Sequence, residues 1–305
     1  MLWDNGRDAI RGGKPKGDLM RGALIGGFCL AMAAMAARAD TPAPDKSGFT
    51  VFNPTPDADL RSLCTDRPTK STAPCTVDAG HWQVESDVYN VTTQTLDGVT
   101  TITQLFTNPT LKLGITNTLD FEVNIVPYEE IKTHDSVAGT TATARGAGDL
   151  FLKAKWNLAG DDGGAFAIAL LPFVKVPTAG RVLGNGAVEG GVLAPMQVNL
   201  PANWQLAIVP EVDALANATG PGRHANVSGD LALGYPITKT VTLSAEIWGD
   251  ENFDPAGTVT QASFDLGAAW IPAKSPTFQL DGGVNLGLNR ATPGLQAYVG
   301  VSRRF

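Results

Sequence analysis

The chain has no apolar run of the about 20 residues that a membrane-spanning helix needs. Three histidines and three cysteines in 305 residues leave little material for a metal centre. His81 stands just before a strand-like stretch, and His134 and His224 fall in loops, none at metal-ligand spacing. The HExxH, GxSxG and phosphate-loop patterns are missing. Gly184-Asn185-Gly186 reads as a turn, because the third glycine of a nucleotide fingerprint is misplaced and no helix follows. A barrel phospholipase would need a Ser–His pair on its outer face, and no histidine lies in a strand's apolar register. These absences predict a protein that is not an enzyme, with no metal and no cofactor. Charge is also sparse, at 17% of residues.

The longest apolar stretch, Ala23 to Ala37, follows Lys14, Lys16 and Arg21 and ends in Ala37-Arg38-Ala39. That pattern predicts a secretory signal peptide over residues 1–39, with Met20 a candidate start because the basic region is long. Cys29 lies within the stretch after Phe28, a poor lipoprotein site, and is expected to leave with it. Cleavage after Ala39 removes six basic and three acidic side chains, leaving 17 and 27 and a net charge of −10. Such a chain has no basic patch to release counterions from phosphates, so a nucleic-acid partner is not expected. The two remaining cysteines, Cys64 and Cys75, are expected to form a disulfide in an oxidising compartment.

Asp40 to Ala79 is rich in proline, threonine and aspartate and shows little periodicity. It reads as an irregular segment, lying in the periplasm or folded into a lumen. From residue 80 to 305 the chain alternates. In Gly148–Thr178, Leu150, Leu152, Ala154, Trp156 and Leu158 fall on one side, and Asp149, Phe151, Lys153, Lys155 and Asn157 on the other. Gly160 to Gly164 then turns the chain into a second strand that ends at Pro177. The same pattern recurs to Phe305, giving about twelve strands of about ten residues, the length of a tilted bilayer-spanning strand. The stretch from Lys132 to Ala147 reads as a long Thr/Ala/Gly-rich loop. Turns near residues 115, 160, 201, 238 and 274 are short, while connections near 96, 140, 182, 220 and 254 are mostly longer, that near 291 excepted. Outer-membrane barrels alternate short periplasmic turns and longer outside loops in this way.

A soluble sandwich would bury the apolar face; a barrel would turn it to lipid. No helices are available to cover a twelve-stranded sheet, and in lipid an open sheet edge leaves backbone groups unpaired. The expected fold is therefore all-β, a transmembrane antiparallel up-and-down barrel of about 12 strands. The polar register then lines a lumen: Glu85, Asp87, Lys112, Asp120, Glu122, Asp149, Lys153, Lys155, Lys175, Glu189, Glu211, Asp213, Asp230, Glu246, Asp265 and Asp281. Two uses of these charges stay open. Lysines and acids could pair across strands and hold the barrel's shape, or the excess of acids could favour cations and neutral solutes. Trp82, Trp156, Trp204 and Trp270 lie on the apolar register near strand ends and read as interfacial girdle residues. A closing strand that ends in an aromatic residue, Phe305, resembles those read by the outer-membrane assembly machinery, although Arg303 departs from the usual apolar pattern.

Cys64-Thr65-Asp66-Arg67-Pro68-Thr69-Lys70 and Val77-Asp78-Ala79-Gly80-His81 resemble a family of bacterial outer-membrane proteins assigned to transport in the meta-cleavage pathway of phenol degradation. Gly148-Asp149-Leu150, Lys155-Trp156-Asn157, Leu171 to Thr178 and Glu189-Gly190-Gly191 extend the resemblance over residues 60 to 305. It implies a Gram-negative outer-membrane channel or transporter for small hydrophobic or aromatic compounds, passive or weakly selective. It supplies no binding residues. A structural or adhesion barrel whose lumen residues 40–79 plug, and a secreted soluble β binding protein, are the alternatives.

Overall fold

The computed structural model describes residues 45–305. The expected signal peptide, residues 1–39, lies outside the described residues, as do residues 40–44 of the irregular segment. Sixteen strands follow in chain order: β1 (Trp82–Leu96), β2 (Val99–Leu105), β3 (Thr110–Thr116), β4 (Leu119–Asn124), β5 (Glu129–Asp135), β6 (Thr140–Gly146), β7 (Leu150–Ala159) and β8 (Phe166–Val176), then β9 (Glu189–Leu193), β10 (Met196–Asn199), β11 (Gln205–Ala216), β12 (Arg223–Pro236), β13 (Val241–Asn252), β14 (Val259–Trp270), β15 (Phe278–Gly287) and β16 (Leu295–Arg304). They make twelve antiparallel staves, because β2/β3, β4/β5, β6/β7 and β9/β10 are single staves broken in two. The sheet closes where β16 pairs with β1, from Gln83↔Arg304 to Thr93↔Leu295, with one irregularity between Asp87 and Tyr89. Closure removes the free edges that a bilayer would not tolerate.

Alternation decides which way each side chain points, and the fold is inside-out relative to a soluble domain. Trp156 and Ile247 are 55% and 56% exposed, whereas Glu122 and Lys155 are 0% and 1% exposed. An outer face of this composition is stable against hydrocarbon and costly against water. Both chain ends of the barrel, Trp82 and Arg304, lie at one rim with the short turns. This is the periplasmic rim of an outer-membrane-type barrel.

The stave breaks have local causes. Pro109, Pro127 and Pro195 sit in three of them and supply no ladder donor. Two expectations need correction here. Residues Lys132 to Ala147 are not a loop: β5 and β6 form a hairpin from Glu129↔Gly146 to Asp135↔Thr140. Its residues, Thr140 to Thr143 especially, are largely exposed, so no apolar face marks it in the sequence. The single weak strand ending at Leu113 is two strands, β2 and β3, separated at Phe106–Pro109.

Candidate functional site

The lumen is filled by the chain's own N-terminal segment. Lys46, Thr55, Arg67, Lys70, Ser71, Thr72, Thr76 and Asp78 are all buried. Arg67, Lys70, Ser71 and Asp78 bond inward-facing residues of the wall, while Lys46 and Thr76 bond Asp162 and Asp161 in the turn after β7. Cys64 and Cys75 are joined in a disulfide, closing a loop at the base of this segment. Within the loop, each charged side chain meets the opposite charge on the wall.

The Asp66 carboxylate accepts from Lys155 Nζ on β7 at 2.8 Å and from Lys112 Nζ on β3. Lys112 also lies 2.7 Å from Glu85, and Lys155 lies 3.4 Å from Glu122. Burial alone would raise the Asp66 pKa, but the two ammonium groups outweigh it and hold the carboxyl well below the usual range. Arg67 donates to Asp87 at 2.6 Å and to Asp281 at 2.8 Å, and its guanidinium lies 5.7 Å from the centre of the Tyr298 ring. Lys70 Nζ donates to Ser263 at 2.6 Å and to Asp265, and sits 5.0 Å from the centre of the Trp248 ring. The backbone N–H groups of Lys70 and Ser71 donate to the two oxygens of Glu246 at 3.0 and 2.8 Å. Val77 N–H donates to Asp120 at 3.0 Å. Buried charges of this kind are tolerated only when paired and hydrogen-bonded, because each desolvation costs several kcal/mol. The N-terminal segment supplies those partners.

The remaining lumen candidates lie elsewhere on the inner register. Lys153 stands opposite Glu122 in the β4–β7 ladder. Lys175 reaches Glu189 at 2.7 Å and Asp149 at 3.5 Å. Asp149 accepts from Ala179 N–H at 2.8 Å. Glu211 accepts from Ser228 and Asp213 from Asn226, at 3.5 and 3.3 Å. Asp230, on β12 opposite Val209, is buried on one oxygen.

At the periplasmic mouth the segment is locked again. Arg61 donates to Asp162 at 2.9 Å and to the Asn117 carbonyl, and Arg304 donates to Asp78 at 3.0 Å. Two wall glycines make room for the segment. A Cβ at Gly114 would collide with the Val77 and Asp78 carbonyls, and one at Gly300 would collide with the Arg67 guanidinium. The four candidate girdle tryptophans, Trp82, Trp156, Trp204 and Trp270, face outward near the periplasmic rim, and Trp204 stacks 4.7 Å from Tyr235.

Sequence reasoning missed two parts of the site. Of the segment's counter-charges, Asp66, Arg67 and Lys70 were legible only as part of the Cys64–Lys70 motif, and Arg61 carried no signal. A patch of apolar side chains on the inner wall was also missed. Leu171, Leu193 and Val209 are buried there with Phe173 against them, and Phe151 lies 6.2 Å from Phe173. Phe151 in the otherwise polar register of β7 was its one signal.

A family model described as "Putative MetA-pathway of phenol degradation" matches residues 65–305. No curated protein matches the chain. Among solved structures, the chain is similar to the COG4313 outer membrane channel from Pseudomonas putida F1, at 15% identity and a TM-score of 0.56 over 74% of this chain and 95% of that one. It is similar also to the beta domain of the Bordetella autotransporter BrkA, at 13% identity and a TM-score of 0.46 over 74% and 99% of the two chains.

Proposed function

We propose that this chain, which belongs to the family described as "Putative MetA-pathway of phenol degradation", is an outer-membrane channel for small apolar or aromatic organic compounds, held shut by its own N-terminal segment. The observation that carries the reading is the seating of the Cys64–Cys75 loop in the barrel. Its Asp66, Arg67 and Lys70 occupy wall lysines and acids that would otherwise line an open, charged lumen. The family's description supplies the solute class, and the apolar inner patch around Leu171 and Phe173 supports it. The protein reaches the outer membrane through a signal peptide over residues 1–39, and its assembly is directed by Phe305. The four outward tryptophans anchor the barrel at the lipid interface. The wall acids outnumber the wall lysines, so a lumen freed of the segment favours cations and neutral solutes. No step of this function requires a reaction.

Reconstitution in planar bilayers tests the reading. The intact protein should conduct weakly, and deletion of residues 45–79 should raise conductance and make it cation-selective. A deletion variant that folds, shifts on heating in gels and conducts no better than the intact chain would leave a sealed structural barrel as the function.

A further inference from the structure

The sheet is closed within the membrane, but above it β6 is left as an edge. It pairs with β5 on one side and ends the strand order on the other. The neighbour it lacks would be an upward extension of β8, which stops at Val176, before Pro177. The β5–β6 hairpin stands on the side of the barrel away from the chain ends, so it projects outside the cell. At about 3.4 Å per residue its strands reach about 24 Å. Thr140 to Thr143 are exposed, as is Val137 at the tip. Natural sheet edges are blunted by charge, proline, a bulge or a covering segment, because their N–H and C=O groups invite another strand. Thr140-Thr141-Ala142-Thr143-Ala144 carries no charge and no proline, and its ladder with β5 runs without a bulge. Cover reaches only the foot of the strand, where a Cβ at Gly146 would meet the Leu183 side chain. Arg145 beside it is tied to Glu130 at 2.6 Å. The free stretch is therefore Thr140 to Ala144.

This stretch is complementary to itself. Laid antiparallel on a second copy and centred on Ala142, it sets Thr141 opposite Thr143 and Thr140 opposite Ala144. Thr–Thr pairs favour such a ladder, and no like charges meet. Antiparallel pairing of identical strands places a two-fold axis at right angles to the sheet. The sheet follows the barrel wall, so that axis lies in the plane of the membrane and inverts one barrel relative to the other. Parallel pairing would need an axis along β6 itself. With staves tilted by about 35–45°, it would set the two barrels at a steep angle that one flat membrane does not allow. We propose that β6 is a homophilic adhesion edge, through which copies of this chain in two facing outer membranes join strand to strand. The partner is thus a second copy of the chain, recognised by main-chain hydrogen bonds and by the Thr141–Thr143 pairs. Edges this short bury far less than the about 1,200 Å² of a stable dimer. One pair is therefore weak, and adhesion arises from many pairs held side by side on opposed surfaces. The edge stands apart from transport and needs no open lumen.

Phosphatidylcholine vesicles carrying the full chain test the edge by light scattering. Wild-type vesicles should cluster severalfold more than protein-free ones. T141K/T143K sets ammonium groups opposite one another and should abolish clustering, as T141E/T143E should by opposing carboxylates. Mixing the two kinds of variant vesicle should restore it, because each lysine then meets a glutamate of the other copy. Heat-modifiable gel migration establishes that both variants fold. Three results would overturn the homophilic edge: dispersed wild-type vesicles, wild-type clustering by either variant alone, or a mixture that stays dispersed. Clustering of wild-type vesicles with protein-free ones would also overturn it, in favour of a surface that binds lipid.

Discussion

The Arg67 guanidinium ties β1 to β15, with one nitrogen 2.6 Å from Asp87 and another 2.8 Å from Asp281. Strand β16 lies between them, and it carries Gly300 directly beneath the guanidinium. The segment in the lumen therefore bridges the closing seam of the barrel. Arg67→Ala leaves two carboxylates buried without their partner, a change that costs about 3–5 kcal/mol in buried ion pairs. The expected result is a lower denaturation midpoint and frequent opening in single-channel records. Gly300→Leu should open the channel by displacing the same guanidinium while leaving every charge in place. If neither variant conducts above wild type, Arg67 does not hold the segment.

The disulfide should matter for the segment more than for the barrel. Asp66, Arg67 and Lys70, which bond the wall charges, all lie within the loop that Cys64 and Cys75 close. Removing a cross-link of this loop size costs about 2–4 kcal/mol. In Cys64→Ser/Cys75→Ser the heat-modifiable shift of the barrel should persist, while residues 61–78 become accessible to protease from the periplasmic side. Unchanged protection of that segment would show that the ion pairs alone seat it.

Acid should release the periplasmic lock late. Burial tends to raise the Asp162 pKa, but hydrogen bonds from Arg61, Asn117 and Lys46 bring it down from 3.8 to about 2. A lowered folded-state pKa means stabilisation that is complete above 3.8 and is lost as pH falls through about 2. Its neighbour Asp161 is shifted up by burial, so protonating it relieves a cost and does not weaken the lock. Titration from pH 7 downward should therefore show a conductance rise only at the acid end. Asp162→Asn should lose the acid-dependent part of that rise and begin from a higher conductance at neutral pH. An identical profile in the two proteins would remove Asp162 from the lock.

The outward tryptophans give a membrane-depth ruler. Trp82, Trp156, Trp204 and Trp270 are exposed near one rim, whereas Trp248 is buried in the lumen beneath Lys70. Phospholipids brominated near the headgroup should quench most of the fluorescence, and the remainder should vanish in Trp248→Phe. Equal quenching by lipids brominated at the chain ends would place the four rings away from the interface.

Alternation with period two, sustained from Trp82 to Phe305, was enough to define strands, turn rhythm and the side of the wall each residue takes. That information is local: it depends only on neighbours along the chain and on the solvent each face must meet. The hairpin of β5 and β6 escaped it because a strand wetted on both faces carries no such pattern. Which wall charges are met, and by what, depended on residues more than a hundred positions apart, as with Arg67 and Asp281 or Lys70 and Asp265. The filling of the lumen by residues 61–79 is likewise a product of closure. Barrel geometry sets which staves become neighbours and what is trapped within them, and no periodicity along the chain encodes that.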